Sequence, residues 1–319
     1  MKNVAQPLDP VEYTFWLPTE GMTLTVGDDE EIDIPQIPLP ILGKDSEENQ
    51  KPSERAIGEG LNSYLRRFPD CPHAADFAKI LKQAFPFHVS DLGSEIILLD
   101  VKQVNPDFVR EKINMLKVLA LMEPDNFGVL QRIGTTYYEL ALVYSELMHV
   151  RQEMGAARLW LEKARRVRSD DLENLNYLAQ ICYFSGGYPQ AKLYWRIISD
   201  NLDEGAAKTE LLKRIDRIEN NQLPPQPVIA SLEQVGVAME HYSVEEYAEA
   251  CTIMDQLEEE GSLPQELPNP EFFYFLGLCR EQNNQSAGAF EAFSKALELD
   301  PQYQVAQEAI ERLHVTKES

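Results

Sequence analysis

The stretch Asn269–Tyr303, NPEFFYFLGLCREQNNQSAGAFEAFSKALELDPQY, is the part of the chain from which the fold can be read. Phe273, Leu276 and Gly277 share one face of a helix, and Ala289, Phe293 and Ala296 share one face of a second. The spacing has a physical cause. Small residues at 277 and 289 let two antiparallel helices approach closely, while Phe273 and Phe293 fill the space between them. Pro301 closes the unit and opens the next helix, where its missing N–H costs nothing. A single helical hairpin cannot bury its apolar face alone, so such a unit must stack on neighbours.

The spacing of aromatic, Leu-Gly, Ala, aromatic and Pro resembles the 34-residue tetratricopeptide unit strongly, and only Arg280 departs, at a position where Tyr is commoner. The resemblance implies an all-α fold, a right-handed superhelix of antiparallel helix pairs, and partner binding along an extended concave surface.

Related units lie upstream. Leu175, Leu178, Ala179, Ala191 and Trp195 repeat the pattern around a Gly186–Gly187–Tyr188 turn, and Ala157, Leu161 and Ala164 give a preceding second helix. Leu130, Ile133, Gly134 and Tyr137 match a first helix eleven residues too early. Eleven residues make almost three helical turns, so the spacing predicts one long helix from about Phe127 to Val150. Val237, Ala238, Ala250 and Met254 form a weaker unit. The surplus before it predicts an extra amphipathic helix over 206–220 with Leu211, Leu212, Ile215 and Ile218 inward, and Gln302–Val315 predicts a C-terminal capping helix.

The expected organisation is a 1–52 acidic, Pro-rich segment, a 53–126 helical region of degenerate repeats, a 127–220 array with an extra capping helix, and a 230–319 C-terminal array with its own cap. Through Arg55 there are twelve acids against four bases, followed in reading by the helix-blocking Pro35, Pro38 and Pro40. Two readings of this segment stand. It is a solvated acidic tail, or it is a weak hairpin of Met22–Val26 and Glu31–Ile34 in which Phe15, Trp16, Leu17 and the IPQIPLPIL stretch pack, docked on the basic cluster Arg158, Lys163, Arg165, Arg166 and Arg168.

Composition narrows the function. The 319 residues carry 29 Lys plus Arg against 53 Asp plus Glu, a formal charge of −24. That excess repels phosphate backbones, so nucleic acid is excluded as an expected partner, and a basic protein segment suits the surface better. There is no apolar stretch long enough for a signal sequence or a membrane span, and the four cysteines show no disulfide or zinc spacing, which together point to the cytoplasm. Three of those cysteines, 182, 251 and 279, fall on helix faces expected to be buried.

No phosphate loop, dinucleotide-binding glycine motif, nucleophile elbow or HExxH pair occurs. Neither a cofactor nor a metal is expected, and the chain reads as a non-catalytic interaction scaffold. Its runners-up are a dedicated chaperone or adaptor for an aggregation-prone or secreted client, marked by an apolar groove, and a regulatory subunit of an enzyme complex. A homo-oligomer is left open.

The resemblance places the groove-facing positions of the first helices at Glu173, Asn176, Gln180 and Tyr183, at Leu232, Val235, Met239 and Tyr242, and at Glu271, Tyr274, Leu278 and Glu281. Relatives that grip a C-terminal carboxylate carry Lys, Asn and Arg there, and that cationic clamp is missing. The expected ligand is instead a protein or peptide with apolar anchors and basic flanks.

Overall fold

The computed structural model describes residues 13–26, 30–43, 51–101 and 105–317. It divides into two compact units, Met1–Thr136 and Tyr137–Ser319.

In the first unit, α1 (Glu54–Arg67), α2 (Ala74–Ala84), α3 (Pro86–Val101) and α4 (Pro106–Met122) precede the first part of α5 (Phe127–Ala141). Their starts follow local chemistry: Ser53 accepts from the Ala56 amide at 3.1 Å, and Asn105 from the Asp107 amide at 3.0 Å with Pro106 beginning the helix. Two strand pairs lie upstream. β1 (Tyr13–Trp16) runs antiparallel to β4 (Leu39–Leu42), and β2 (Thr23–Val26) to β3 (Glu30–Asp33). Residues 27–29, with two of the four acids of the run Asp28, Asp29, Glu30 and Glu31, lie outside the described residues. β4 sits on α1 because Gly60 has no side chain: a Cβ there would lie 2.1 Å from the Pro40 carbonyl oxygen. Leu39 and Ile41 are buried by this contact, whereas Phe15 and Leu17, grouped with them as packing residues, are exposed. Phe15 still meets the Tyr64 ring of α1 edge-on at 5.6 Å, and Leu17 lies past the end of β1.

The second unit continues through the 3-10 turn Tyr144–His149 and then α6 (Val150–Val167), α7 (Leu172–Phe184), α8 (Tyr188–Asp200), α9 (Ala206–Glu219), α10 (Val228–Ser243), α11 (Tyr247–Glu260), the short α12 (Ser262–Glu266), α13 (Pro270–Gln282), α14 (Ser286–Leu299) and α15 (Gln304–Lys317). α7 pairs with α8, α10 with α11 and α13 with α14, and α9 and α15 pack on the second helices α8 and α14. These are the helix pairs of a tetratricopeptide-like all-α fold. Gly277 lies directly beneath Phe293, whose ring carbons stand 2.4–2.9 Å from where a Cβ would be. Phe293, Trp195, Ala289 and Ala191 are fully buried, and so are Cys182, Cys251 and Cys279.

Two expectations are corrected. The single long helix from Phe127 to Val150 does not form: α5 ends at Ala141, and Val143 leaves the helical conformation at φ −71° and ψ 126°. The following 3-10 turn buries Leu147 against α10, where Gly236 allows backbone-to-backbone approach, and a Cβ at Gly236 would stand 2.7 Å from the Met148 nitrogen. Burying Leu147 outweighs the helical hydrogen bonds given up, because helix continuation is worth little per residue without packing. On α9, Ile215 is buried and Leu211 and Ile218 are partly buried, but Leu212 is exposed, because α9 packs on α8 along a narrow stripe.

Candidate functional site

On α7 the expected groove residues are mostly engaged within the fold. Asn176 accepts from the Trp195 indole at 3.4 Å, and Gln180 from the Tyr138 hydroxyl at 2.7 Å. Tyr183 is buried, with its ring 5.3 Å from Tyr188 and 5.4 Å from Trp195. Only Glu173 is open to solvent. On α10, Leu232 and Val235 are core side chains, because the face of α10 that carries Gly236 is covered by the 3-10 turn. The turn's hold is reinforced by Arg151, which donates to both Glu233 carboxylate oxygens at 2.7 and 2.6 Å. Leu232 and Val235 are therefore not ligand contacts in this structure.

The remaining residues converge. Tyr242 packs edge-on against Tyr247 at 5.1 Å and Phe275 at 5.5 Å. Tyr274 stacks against Phe293 at 5.7 Å and meets Tyr303 edge-on at 5.7 Å. Met239, Glu271, Leu278 and Glu281 are each partly exposed beside them. Glu281 receives a two-pronged bond from Arg312 of α15, at 3.0 and 2.7 Å. Asn269 caps α13 by accepting from the Glu271 amide at 2.8 Å and so fixes the backbone under the Glu271 carboxylate.

The phenols' electrostatics follow from this crowding. Burial, followed by Cys279, Tyr247, Glu281 and Tyr274, pushes the Tyr242 phenol up to about 12. Burial, then Glu271 and Tyr274, does the same for Tyr303, to about 12. Tyr274 is raised, first by burial. Tyr144 of the 3-10 turn is held well above the ordinary phenol value, by burial first and then by Glu271 and Tyr303. All four are protonated at neutral pH and keep an O–H to donate. None of the four hydroxyls has a hydrogen-bond partner among the described residues. Aromatic bodies with free polar tips, set beside two carboxylates, suit a ligand that offers both apolar surface and carbonyl acceptors.

Tyr144, Tyr247, Tyr303 and Arg312 belong to this face and were missed in the sequence. An unbroken helix over Phe127–Val150 gives Tyr144 no special place, and Gln302–Val315 reads only as a cap beyond the array. Position in the signature gave no hint that α15 would complete the face of α13. Among the described residues, no three His, Cys, Asp or Glu side chains converge as a metal site requires. No helix among the described residues is long and apolar enough to cross a membrane.

No protein-family model matches the chain, and no curated protein matches it. Solved structures do. A tetratricopeptide repeat protein from Parabacteroides merdae is 13% identical, with 82% of this chain and 92% of that one aligned at a TM-score of 0.34. The tetratricopeptide domain of P58(IPK) is 13% identical over 72% of this chain and 65% of that one, at 0.33. MamA from Desulfovibrio magneticus, residues 41 to its end, is 17% identical over 58% and 85%, at 0.24. The fold class stands on the helix packing described above.

Proposed function

We propose that the chain is a non-catalytic protein-interaction scaffold that holds a segment of a partner against the tyrosine-lined face of α10, α13 and α15. The observation that carries this reading is the set of four clustered phenols, Tyr144, Tyr242, Tyr274 and Tyr303, whose hydroxyls have no hydrogen-bond partner among the described residues. None of the four is a buried polar atom left without a partner, so each hydroxyl is open to a ligand's acceptor, and tyrosine is enriched where interfaces concentrate their affinity. Glu271 and Glu281 favour Lys or Arg on the ligand, in line with the chain's formal charge of −24. Met239 adapts to varied apolar anchors.

The reading is tested with the triple variant Tyr242→Phe, Tyr274→Phe, Tyr303→Phe, which keeps the rings and removes three hydroxyls. Affinity capture from native lysate, with partners identified by mass spectrometry, is compared between it and the parent chain. Loss of a specific partner at unchanged melting temperature supports the site. Retention of every partner by a folded variant rejects it.

A further inference from the structure

The charge of the second unit is unevenly distributed. Residues 228–319 carry eighteen acids against four bases, whereas residues 151–217 carry twelve bases against ten acids. Three of the four C-terminal cations are committed to internal ion pairs: Arg280 with Asp255 and Glu258, Lys295 with Glu258, and Arg312 with Glu281. The acidic surface of this array is therefore not offset locally.

The opposite arrangement occurs on α6 and α8. The Tyr194 hydroxyl bonds Glu162 at 3.0 Å and joins the two helices side by side. One turn from Glu162 stands Leu159, 57% exposed, and beside Tyr194 stands Leu193, 51% exposed, with Val167 and Ile197 each more than a third exposed. Arg158 and Arg166 flank this aliphatic strip, are exposed, and meet no carboxylate among the described residues. The neighbouring cations behave otherwise: Arg165 pairs with Glu162, Arg168 with Asp171, and Lys192 and Arg196 with Glu219. Two unpaired arginines around exposed aliphatics form a surface lacking an acidic, aliphatic counterpart.

A surface of that composition exists elsewhere on the same chain. At the turn between α10 and α11, Val244 is 61% exposed and is surrounded in sequence by the exposed Glu240, Glu245, Glu246 and Glu249. This turn is also conformationally strained. Glu245 has φ +67°, a left-handed conformation that the described residues elsewhere give to Gly21, Gly186, Asn221, Gly261 and Asn284. Those residue types tolerate it and glutamate does not. The left-handed residue closes the helix end, the Glu246 amide donating to the His241 carbonyl at 2.9 Å as the Gln285 amide does to the Arg280 carbonyl at 2.8 Å, and here a glutamate fills the place and adds to the acidic rim.

We infer that the chain associates with a second copy of itself, the acid-rimmed Val244 turn of one protomer seating on the Arg158–Leu159–Arg166 face of the next. The two surfaces differ, so the contact is heterologous and continues from copy to copy rather than closing as a two-fold dimer. The turn adjoins the partner site proposed above, lying between Tyr242 and Tyr247, but the variants that test it leave Tyr242, Tyr274 and Tyr303 in place.

Light scattering coupled to size exclusion, over a concentration series in low and high salt, tests this. The parent chain is expected to gain mass with concentration in low salt and to lose that gain in high salt, as screening shortens the reach of the charges. Arg158→Gln with Arg166→Gln, and separately Glu245→Gln with Glu246→Gln, should each weaken association by roughly tenfold. Mixed together, the two variants retain one intact seat and one intact turn, and should form a species that stops at two chains. Glu245→Asn keeps the turn and relieves its backbone, so it should raise the melting temperature while weakening association. A parent chain that stays monomeric at every concentration in low salt overturns the proposal. So does association that persists in the arginine variant, or mixed variants that remain separate although each melts like the parent.

Discussion

The pairs α13/α14 and α10/α11 are built on the same plan and use their glycines in opposite directions. Gly277 lies inside its own pair, under Phe293 of the very next helix. Gly236 looks outward, and the backbone of Leu147 and Met148 comes down on it. In the first pair a small residue closes a local hairpin. In the second it receives a segment nearly ninety positions earlier in the chain, which turns a face expected to bind ligand into core. The pairs also differ at their turns. Asn284 and Glu245 occupy the same left-handed position, and only the asparagine is suited to it.

The largest effect should come from filling the internal glycine. Gly277→Leu places atoms where the Phe293 ring already stands, so the loss should be about 3 kcal/mol or more, read from urea denaturation. Gln285→Leu on the exposed turn is the control and should change stability by no more than about 0.5 kcal/mol. Equal tolerance at both positions would break the contrast with α10.

Filling the outward glycine should cost less and act elsewhere. Gly236→Ala forces the 3-10 turn off α10, at about 2 kcal/mol. Hydrogen exchange should then rise in residues 142–150 more than within α13 and α14. Loss of protection spread evenly over both pairs would show that the turn is not a separate layer.

Next comes the ion network that joins α11 to α13 and α14. Arg280 donates to Asp255 at 2.8 Å and to Glu258 at 2.5 Å, and Lys295 donates to Glu258 at 2.8 Å. Burial works to raise the Glu258 pKa, but the bonds from Lys295 and Arg280 outweigh it and hold it below the ordinary carboxylate value. A carboxylate with a lowered folded pKa stabilises fully above its unfolded value and loses that contribution as pH falls through the folded one. Glu258→Gln should therefore cost about 1–2 kcal/mol near neutral pH, and its deficit relative to the parent should shrink on acidification. A deficit independent of pH would mean that the ionised carboxylate contributes nothing.

The smallest effect should be a gain. Glu245→Asn gives the α10–α11 turn the residue that the α13–α14 turn already has, and should stabilise by about 0.5 kcal/mol. A loss instead would show that the glutamate side chain, rather than strain, governs this turn.

These pairs also mark how far the sequence could be read. Leu276, Gly277, Ala289 and Phe293 were legible because their contacts join helices adjacent in the chain, so that spacing alone fixes who meets whom; Phe273, read as filling the same space, is only half-buried, and Phe272 beside it is the ring in the core. Arg280 was legible only as a departure. Its reason, the carboxylates of Asp255 and Glu258, lies in the preceding pair. Tyr242, Tyr274, Glu271 and Glu281 were named from their positions in the signature, and the structure brings them together. Tyr144 and Tyr303 reach the same face from a turn and a cap that follow no signature.

By itself, then, the sequence determined the helix pairs, their small and large residues at closing positions, and the acidity of the surface, because each is set by local period or by composition. Only the tertiary structure decided that α5 stops at Ala141, that Leu147 covers α10, and that Leu232 and Val235 are core while four tyrosines keep free hydroxyls. Those outcomes depend on which distant segment wins a given apolar face. Such competition is settled by buried area and close approach across the whole unit, which no short run of residues contains.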